Sequence, residues 1–252
     1  MASPYNSKIS ITTALIIINI AVFLLGWVAS VPALFGLPYP SSPTTEPITF
    51  VRGAYSWFTC FMEGEVWRLI TYQFLHSGVF HLVFNMWALH FFGPVVEDAM
   101  GSNRFLAFYL ACGVAGALFS SLLAGLGFFS SGVAGPALTI LLQSIAAYTG
   151  YDHIELWQLT PMVGASAAVY GVLVAVAFLY PHSRISLLFP PVVMTLRTFA
   201  LIILGISIIT VLMNGENAGG EAGHLGGIIL AAIIMFIWKY RYIRQRNNDR
   251  TF

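Results

Sequence analysis

Five side chains in this sequence have types and spacings suited to hydrolytic chemistry. His81 and Asn85 stand four residues apart in "HSGVFHLVFNMWALH", Ser166 and Tyr170 four apart in "PMVGASAAVYG", and His224 precedes two glycines' worth of close-packing surface in "AGHLGG". A serine hydroxyl is a weak nucleophile until a base takes its proton. His224 is a residue type that can take that proton and return it to a leaving amine. The tetrahedral intermediate of such a reaction carries an oxyanion that needs donors already in place. Asn85 can offer its amide, His81 a ring N–H, and Ser166 its own backbone N–H. No buried carboxylate is expected near His224, so a stacked Tyr170 ring would orient the imidazole, giving a dyad. Each residue alone has a plainer reading. Ser166 could be a helix N-cap, His224 an interfacial histidine, His81 and Asn85 polar glue between helices, and Tyr170 packing. The case for chemistry is their occurrence together at one expected depth.

These groups need elements to hold them, and composition says what kind. The 252 residues are 58% hydrophobic and 8% charged, with mean hydropathy +0.81. Soluble domains carry about 25% charged residues. The expectation is an all-α, polytopic membrane protein forming one domain over 1–252. A span needs about 20 apolar residues. Six candidates lie near 9–30, 79–96, 105–127, 166–180, 193–213 and 224–240. The first lacks a small-residue cleavage site, so it reads as a span and not as a removed signal peptide. The fourth is short, which suits a helix starting part-way down inside protein. The stretch 136–149 reads as interfacial or re-entrant. Cys60 and Cys112 fall in a loop and in a span, which argues against a disulfide.

Basic residues give the orientation. With six spans, Lys8, Arg104, Arg184, Arg197, Lys239, Arg241, Arg244, Arg246 and Arg250 share one side, and Arg52 and Arg68 the other. That asymmetry places both termini in the cytoplasm. His81, Asn85, Ser166, Tyr170 and His224 then all lie toward the external ends of their spans. The external segment 31–78 is aromatic and reads as interfacial, 128–165 as an external insertion, and 239–252 as a basic cytoplasmic tail. Segment 214–223 is glycine-rich and acidic and reads as a mobile cap before His224. Gly223, Gly227 and Ala231 on the sixth span, and Ala168, Gly171 and Ala175 on the fourth, offer small surfaces for close helix approach. The remaining histidines, His76, His90, His153 and His182, read as interfacial or structural. A net charge of +1 gives no sign of a nucleic-acid partner.

The run "WRLITYQFLHSGVFHLVFNMWALHFFGPVVEDAMGS", then "GASAAVYG", then "AGHLGG", resembles the rhomboid intramembrane serine proteases, in the family's order from about residue 66 to 240. The resemblance implies a Ser166–His224 dyad, an oxyanion hole including His81 and Asn85, and Tyr170 stacked on His224. It makes Gly164 the first glycine of the serine motif, Trp67–Arg68 a signature of the first external loop, and Glu97 a matching glutamate at the cytoplasmic end of the second span. It implies a six-transmembrane-helix bundle with a water-filled cavity, no metal and no cofactor. Its partners would be the lipid bilayer and transmembrane protein substrates, cut in or near their membrane segments. Six spans without a large extra domain suggest a bacterial inner membrane. One departure stands out: the family's usual GxSG has Ala167 in its last place. The rival reading is a catalytically silent relative that binds membrane clients. A transporter lacks support from any inverted repeat, and a zinc protease would need HExxH, which is missing.

Overall fold

The computed structural model describes residues 9–34, 52–129, 154–186 and 191–248. Six long helices carry the fold: α1 (Ile11–Leu34), α2 (Val79–Met100), α3 (Ser102–Gly125), α4 (Ser166–Leu179), α5 (Leu196–Leu212) and α6 (Ala218–Asn248). Among the described residues, α2, α3 and the part of α6 over Ala218–Tyr240 are long and apolar enough to cross a membrane. The apolar stretch Ile11–Gly26, α4 and α5 are shorter. The expected re-entrant stretch 136–149, most of the insertion 128–165, residues 35–51 of the first loop and the end of the tail lie outside the described residues.

The helix α4 is the hub. Every residue from Ala167 to Ala177 except Tyr170 is buried, as expected of a helix that is apolar all round. The outer helices instead split into two faces. On α2, Leu82, Asn85, Met86, Leu89, Gly93 and Val96 point inward, while Val79, Phe80, Val83, Phe84, Trp87 and Phe91 are exposed. Such an exposed apolar stripe suits lipid contact.

Small residues set how closely the helices approach. A Cβ at Gly227 would stand 2.0 Å from the Ala167 carbonyl oxygen, so α6 lies directly on the first turn of α4. A Cβ at Gly171 would meet Cys112 Sγ at 2.7 Å, and one at Gly226 the Ala115 carbonyl at 2.5 Å, so α3 closes the same cluster. The expected small surface on α6 is therefore used, but against α3 as well as α4. At the opposite end, Glu97 clasps α1 to α2. Its carboxylate accepts from Ile11 N (2.8 Å), Thr12 N (2.9 Å), Thr12 Oγ1 (2.7 Å) and Ser102 Oγ (2.7 Å). That satisfies amides that the first turn of α1 leaves without helical partners. Gly101 (φ 82°) makes the one-residue turn from α2 into α3.

Three expectations need correction. The chain is mostly helical but not wholly so: β1 (Arg184–Ser186) pairs antiparallel with β2 (Val193–Thr195), in register Arg184↔Thr195, Ile185↔Met194 and Ser186↔Val193. Pro181 cannot continue α4, and the β-branched Ile185, Val193 and Thr195 favour a pleated pair. The fifth helix thus starts at Leu196 and not at 193, with the Thr195 hydroxyl accepting from Thr198 N at 3.1 Å. The sixth helix starts at Ala218, so the second half of the segment read as a mobile cap is helical. Ser120 Oγ donates to the Gly219 carbonyl at 2.9 Å, tying this glycine-rich first turn to α3.

Candidate active site

The segment before α4 is held in an extended path. Tyr55 and Met162 exchange both backbone hydrogen bonds (3.1 and 2.7 Å), and Gly164 N donates to the Tyr72 carbonyl (3.0 Å). The loop that supplies these partners is itself anchored. Buried Arg68 donates to the Ala54 carbonyl at 2.7 Å and pairs with Glu65, and Tyr72 OH donates to the Gly113 carbonyl at 2.6 Å. At Gly164 the backbone turns through φ 123°, a conformation that side chains disfavour. A Cβ there would also press on the His81 ring, 2.7 Å from Cε1 and 2.8 Å from Nε2, and lie 3.7 Å from Ser166 Oγ. Glycine at this place lets the His81 ring edge sit beside the serine.

Ser166 is the first residue of α4, with Ala165 in the cap position and no side-chain cap bond. Its hydroxyl is turned instead to α6, where it donates to His224 Nε2 at 2.8 Å. Tyr170, one turn along α4, stacks on the His224 ring with centroids 4.0 Å apart and planes 16° apart. The structure therefore brings Ser166, His224 and Tyr170 into mutual contact. His224 is 8% exposed and Ser166 is half-buried, so the pair is sheltered without being sealed.

His81 and Asn85 lie on the same face of α2. Ser77 N donates to His81 Nδ1 at 3.4 Å, with Ser77 Oγ 3.1 Å from the same atom. A backbone amide can only donate, so Nδ1 accepts and the ring proton sits on Nε2, a ring atom on the Gly164 side. Asn85 Nδ2 donates to the His81 carbonyl at 2.8 Å. That uses one of its two N–H groups and fixes the amide's orientation. The first turn of α4 adds backbone N–H groups without helical acceptors. His81 and Asn85 thus present N–H donors from α2, and the first turn of α4 presents its own, next to the segment that carries the Ser166–His224 pair.

Ala167, the departure from the expected motif, packs without strain. Its methyl fits because α3 carries Gly116 opposite: a Cβ on Gly116 would approach the Ala167 Cβ to 2.5 Å. Of the histidines set aside, His90 and His182 are exposed, and His153 lies outside the described residues. His76 is 2% exposed and meets His81 edge to face at 5.0 Å, so it backs an expected site residue from within the core. Burial first, and the neighbouring His81 second, push its pKa down from 6.5 to about 4.

The expectation that no carboxylate reaches His224 is wrong. Glu221 Oε2 accepts from His224 Nδ1 at 3.0 Å, and Ser207 Oγ of α5 donates to the same oxygen at 2.5 Å. The spacing of three residues was readable. It was obscured because "GENAGGEAG" has the composition of a loop, and in a loop i and i+3 share no face.

Comparison with known proteins adds the lineage. Residues 63–241 match the family model of the Rhomboid domain. The chain is 32% identical over 177 residues to "Rhomboid protease GluP" of Bacillus subtilis, covering 68% of this chain and 27% of that protein. It is 29% identical over 236 residues to "Rhomboid protease AarA" of Providencia stuartii, covering 90% of this chain and 71% of that one. A third relative, 33% identical over 117 residues (43% of this chain, 32% of the other), is "Inactive RHOMBOID-like protein 8" of Arabidopsis thaliana. The chain thus spans well under two thirds of the Bacillus and Arabidopsis relatives' lengths. The matched region runs from residue 63, in the loop whose Tyr72 carbonyl anchors Gly164, to residue 241 within α6, and with it this chain belongs to the rhomboid family, as an integral membrane protein.

Proposed function

We propose that the chain is an intramembrane serine endopeptidase that cleaves transmembrane proteins in or near their membrane segments. The observation that carries this reading is the 2.8 Å hydrogen bond from Ser166 Oγ to His224 Nε2 at the half-buried start of α4. In the mechanism, the Ser166 proton passes to His224 Nε2 as Oγ bonds to the substrate carbonyl carbon and the carbonyl electron pair moves to oxygen. The oxyanion is met by the His81 Nε2–H, the free Asn85 N–H and the Ser166 backbone N–H. Collapse breaks the C–N bond, and the Nε2 proton goes to the leaving nitrogen. Water then hydrolyses the acyl-enzyme by the same route in reverse. Tyr170, stacked at 4.0 Å, limits rotation of the imidazole.

The same reading makes the whole chain a single six-span bundle, with α1, α4 and α5 crossing along with the three longer helices. The asymmetry of basic residues puts both termini in the cytoplasm and the site toward the outside. The proteases from two bacteria among its relatives support a bacterial inner-membrane setting. A relative named inactive keeps one rival alive, a silent client-binding protein.

The test is reaction of the folded protein with a fluorophosphonate, together with cleavage of a reconstituted transmembrane substrate. The expected result is labelling and cleavage in wild type. Both are lost in Ser166→Ala, and cleavage is lost in His224→Ala, by a factor on the order of 10⁴ or more. Folded wild-type protein that neither labels nor cleaves would establish the silent reading.

A further inference from the structure

We propose that Glu221 is a third member of the catalytic unit, a positioning residue that makes the dyad a Ser166–His224–Glu221 triad held from α5 by Ser207. This rests on the serine-protease reading above. The geometry is a continuous chain of hydrogen bonds across three helices. Ser207 Oγ on α5 donates to Glu221 Oε2 at 2.5 Å, the same oxygen accepts from His224 Nδ1 at 3.0 Å, and His224 Nε2 accepts from Ser166 Oγ on α4 at 2.8 Å. Ser207 is fully buried at 0% exposure, and the side chains of His224 and Glu221 are 10% and 14% exposed. Such shelter makes the charge-assisted bond stronger than it would be in water.

The helix dictates the contact. Residues three apart share a face, so starting α6 at Ala218 places the Glu221 carboxylate at the Nδ1 edge of the His224 ring. A carboxylate is an acceptor only. It therefore holds the Nδ1 proton and leaves Nε2 bare toward Ser166, which is the tautomer a general base needs. When Nε2 takes the serine proton, the imidazolium forms against a negative charge already in place. Glu221 neither gains nor loses a proton in the cycle. Ser207 holds the same carboxylate oxygen from α5, which restrains Glu221 from swinging out to solvent.

Tyr170 and Glu221 then divide the work. The stacked tyrosine restrains the plane of the ring, and the carboxylate fixes its rotation in that plane and its tautomer. Serine hydrolases that use a carboxylate in this position lose about 10⁴ in kcat when it becomes an amide. Because Tyr170 also orients His224, the loss here is set lower, about 10²–10⁴-fold.

The experiment uses the full chain, wild type and the variants Glu221→Gln, Ser207→Ala and Ser166→Ala. It reads kcat and KM on a reconstituted transmembrane substrate, fluorophosphonate labelling rate, and ¹⁵N NMR of the His224 ring at neutral pH. Expected are a His224 ring with Nδ1 protonated and Nε2 bare in wild type and in Ser166→Ala, and loss of that single tautomer in Glu221→Gln. Glu221→Gln loses kcat by about 10²–10⁴-fold with KM within about threefold. Ser207→Ala shows a smaller loss of kcat in the same sense. A Glu221→Gln enzyme with kcat within about threefold of wild type overturns the positioning role. So does a wild-type ring protonated on Nε2, and that measurement stands even if the Gln variant fails to fold. A wild type that cleaves and labels while Glu221→Gln does so at full rate defeats this proposal alone. A wild type that does neither defeats the protease reading and this proposal with it.

Discussion

Replacing Gly227 by alanine adds one methyl where α6 rests on α4 and leaves every candidate site residue unchanged in type. The added Cβ would lie 2.0 Å from the Ala167 carbonyl oxygen and 2.8 Å from its carbonyl carbon. Non-bonded carbon and oxygen need roughly 3.2 Å or more, so the helices must part by roughly 1 Å at this point. The neighbouring atoms are backbone, so a rotamer change cannot absorb it. The Ser166–His224 hydrogen bond spans the same helix pair at 2.8 Å, and parting the helices by that amount takes it past the limit of a useful bond. A misplacement of about 1 Å at a reacting centre costs about 10²-fold, and overpacking costs about 1–3 kcal/mol of stability. Gly227→Ala should therefore retain its fold with a lowered Tm while fluorophosphonate labelling and substrate cleavage both fall by about 10²-fold. Ala167→Gly should not rescue it, because the obstacle is the carbonyl and not the methyl. In Gly116→Ala, where the nearest obstacle is the Ala167 methyl at 2.5 Å, Ala167→Gly should restore part of the loss. Labelling of Gly227→Ala at the wild-type rate would refute the claim that this contact sets the distance between hydroxyl and imidazole.

Gly164→Ala combines a disfavoured φ of 123° with a 2.7 Å approach to the His81 ring, so it should lose about 1–3 kcal/mol of stability and most activity; equal Tm and turnover would contradict the geometry. Glu97→Gln leaves one oxygen to serve four donors and turns an amide N–H₂ toward the others, so thermal unfolding in detergent should report a loss of about 2–4 kcal/mol, and an unchanged Tm would count against the clasp. His76 is buried neutral, with its pKa lowered from 6.5 to about 4 by burial first and His81 second. A base depressed on folding contributes its full stability above the unfolded value and loses it as pH falls. Tm should thus be flat above about pH 6.5 with respect to this group and drop between about 6.5 and 4, by the equivalent of up to about 3 kcal/mol. In His76→Gln that part of the slope should vanish, and a slope that persists unchanged would assign it to other groups.

The membrane character, the approximate helix positions and the candidate residues could be read from the sequence alone, because each rests on local information. Composition forces apolar helices, and the pairs His81–Asn85 and Ser166–Tyr170 share faces through helix periodicity. Tertiary structure decided what depends on contacts between segments distant in the chain. It turned the Ser166 hydroxyl to His224 instead of a helix amide, and it matched Gly116 to the methyl of Ala167. It also converted the glycine-rich run before His224 into the first turn of α6. Glycine weakens an isolated helix by about 1 kcal/mol per residue, so local propensity reads that run as a loop. Ser120 on α3 donating to the Gly219 carbonyl ties the run into the helix, and a Cβ at Gly223 would stand 2.3 Å from the Met162 methyl. Only then does Glu221 come within hydrogen-bond reach of His224 Nδ1. Its partner was visible three residues away, but whether those three residues made a turn of helix was settled by the helices around them.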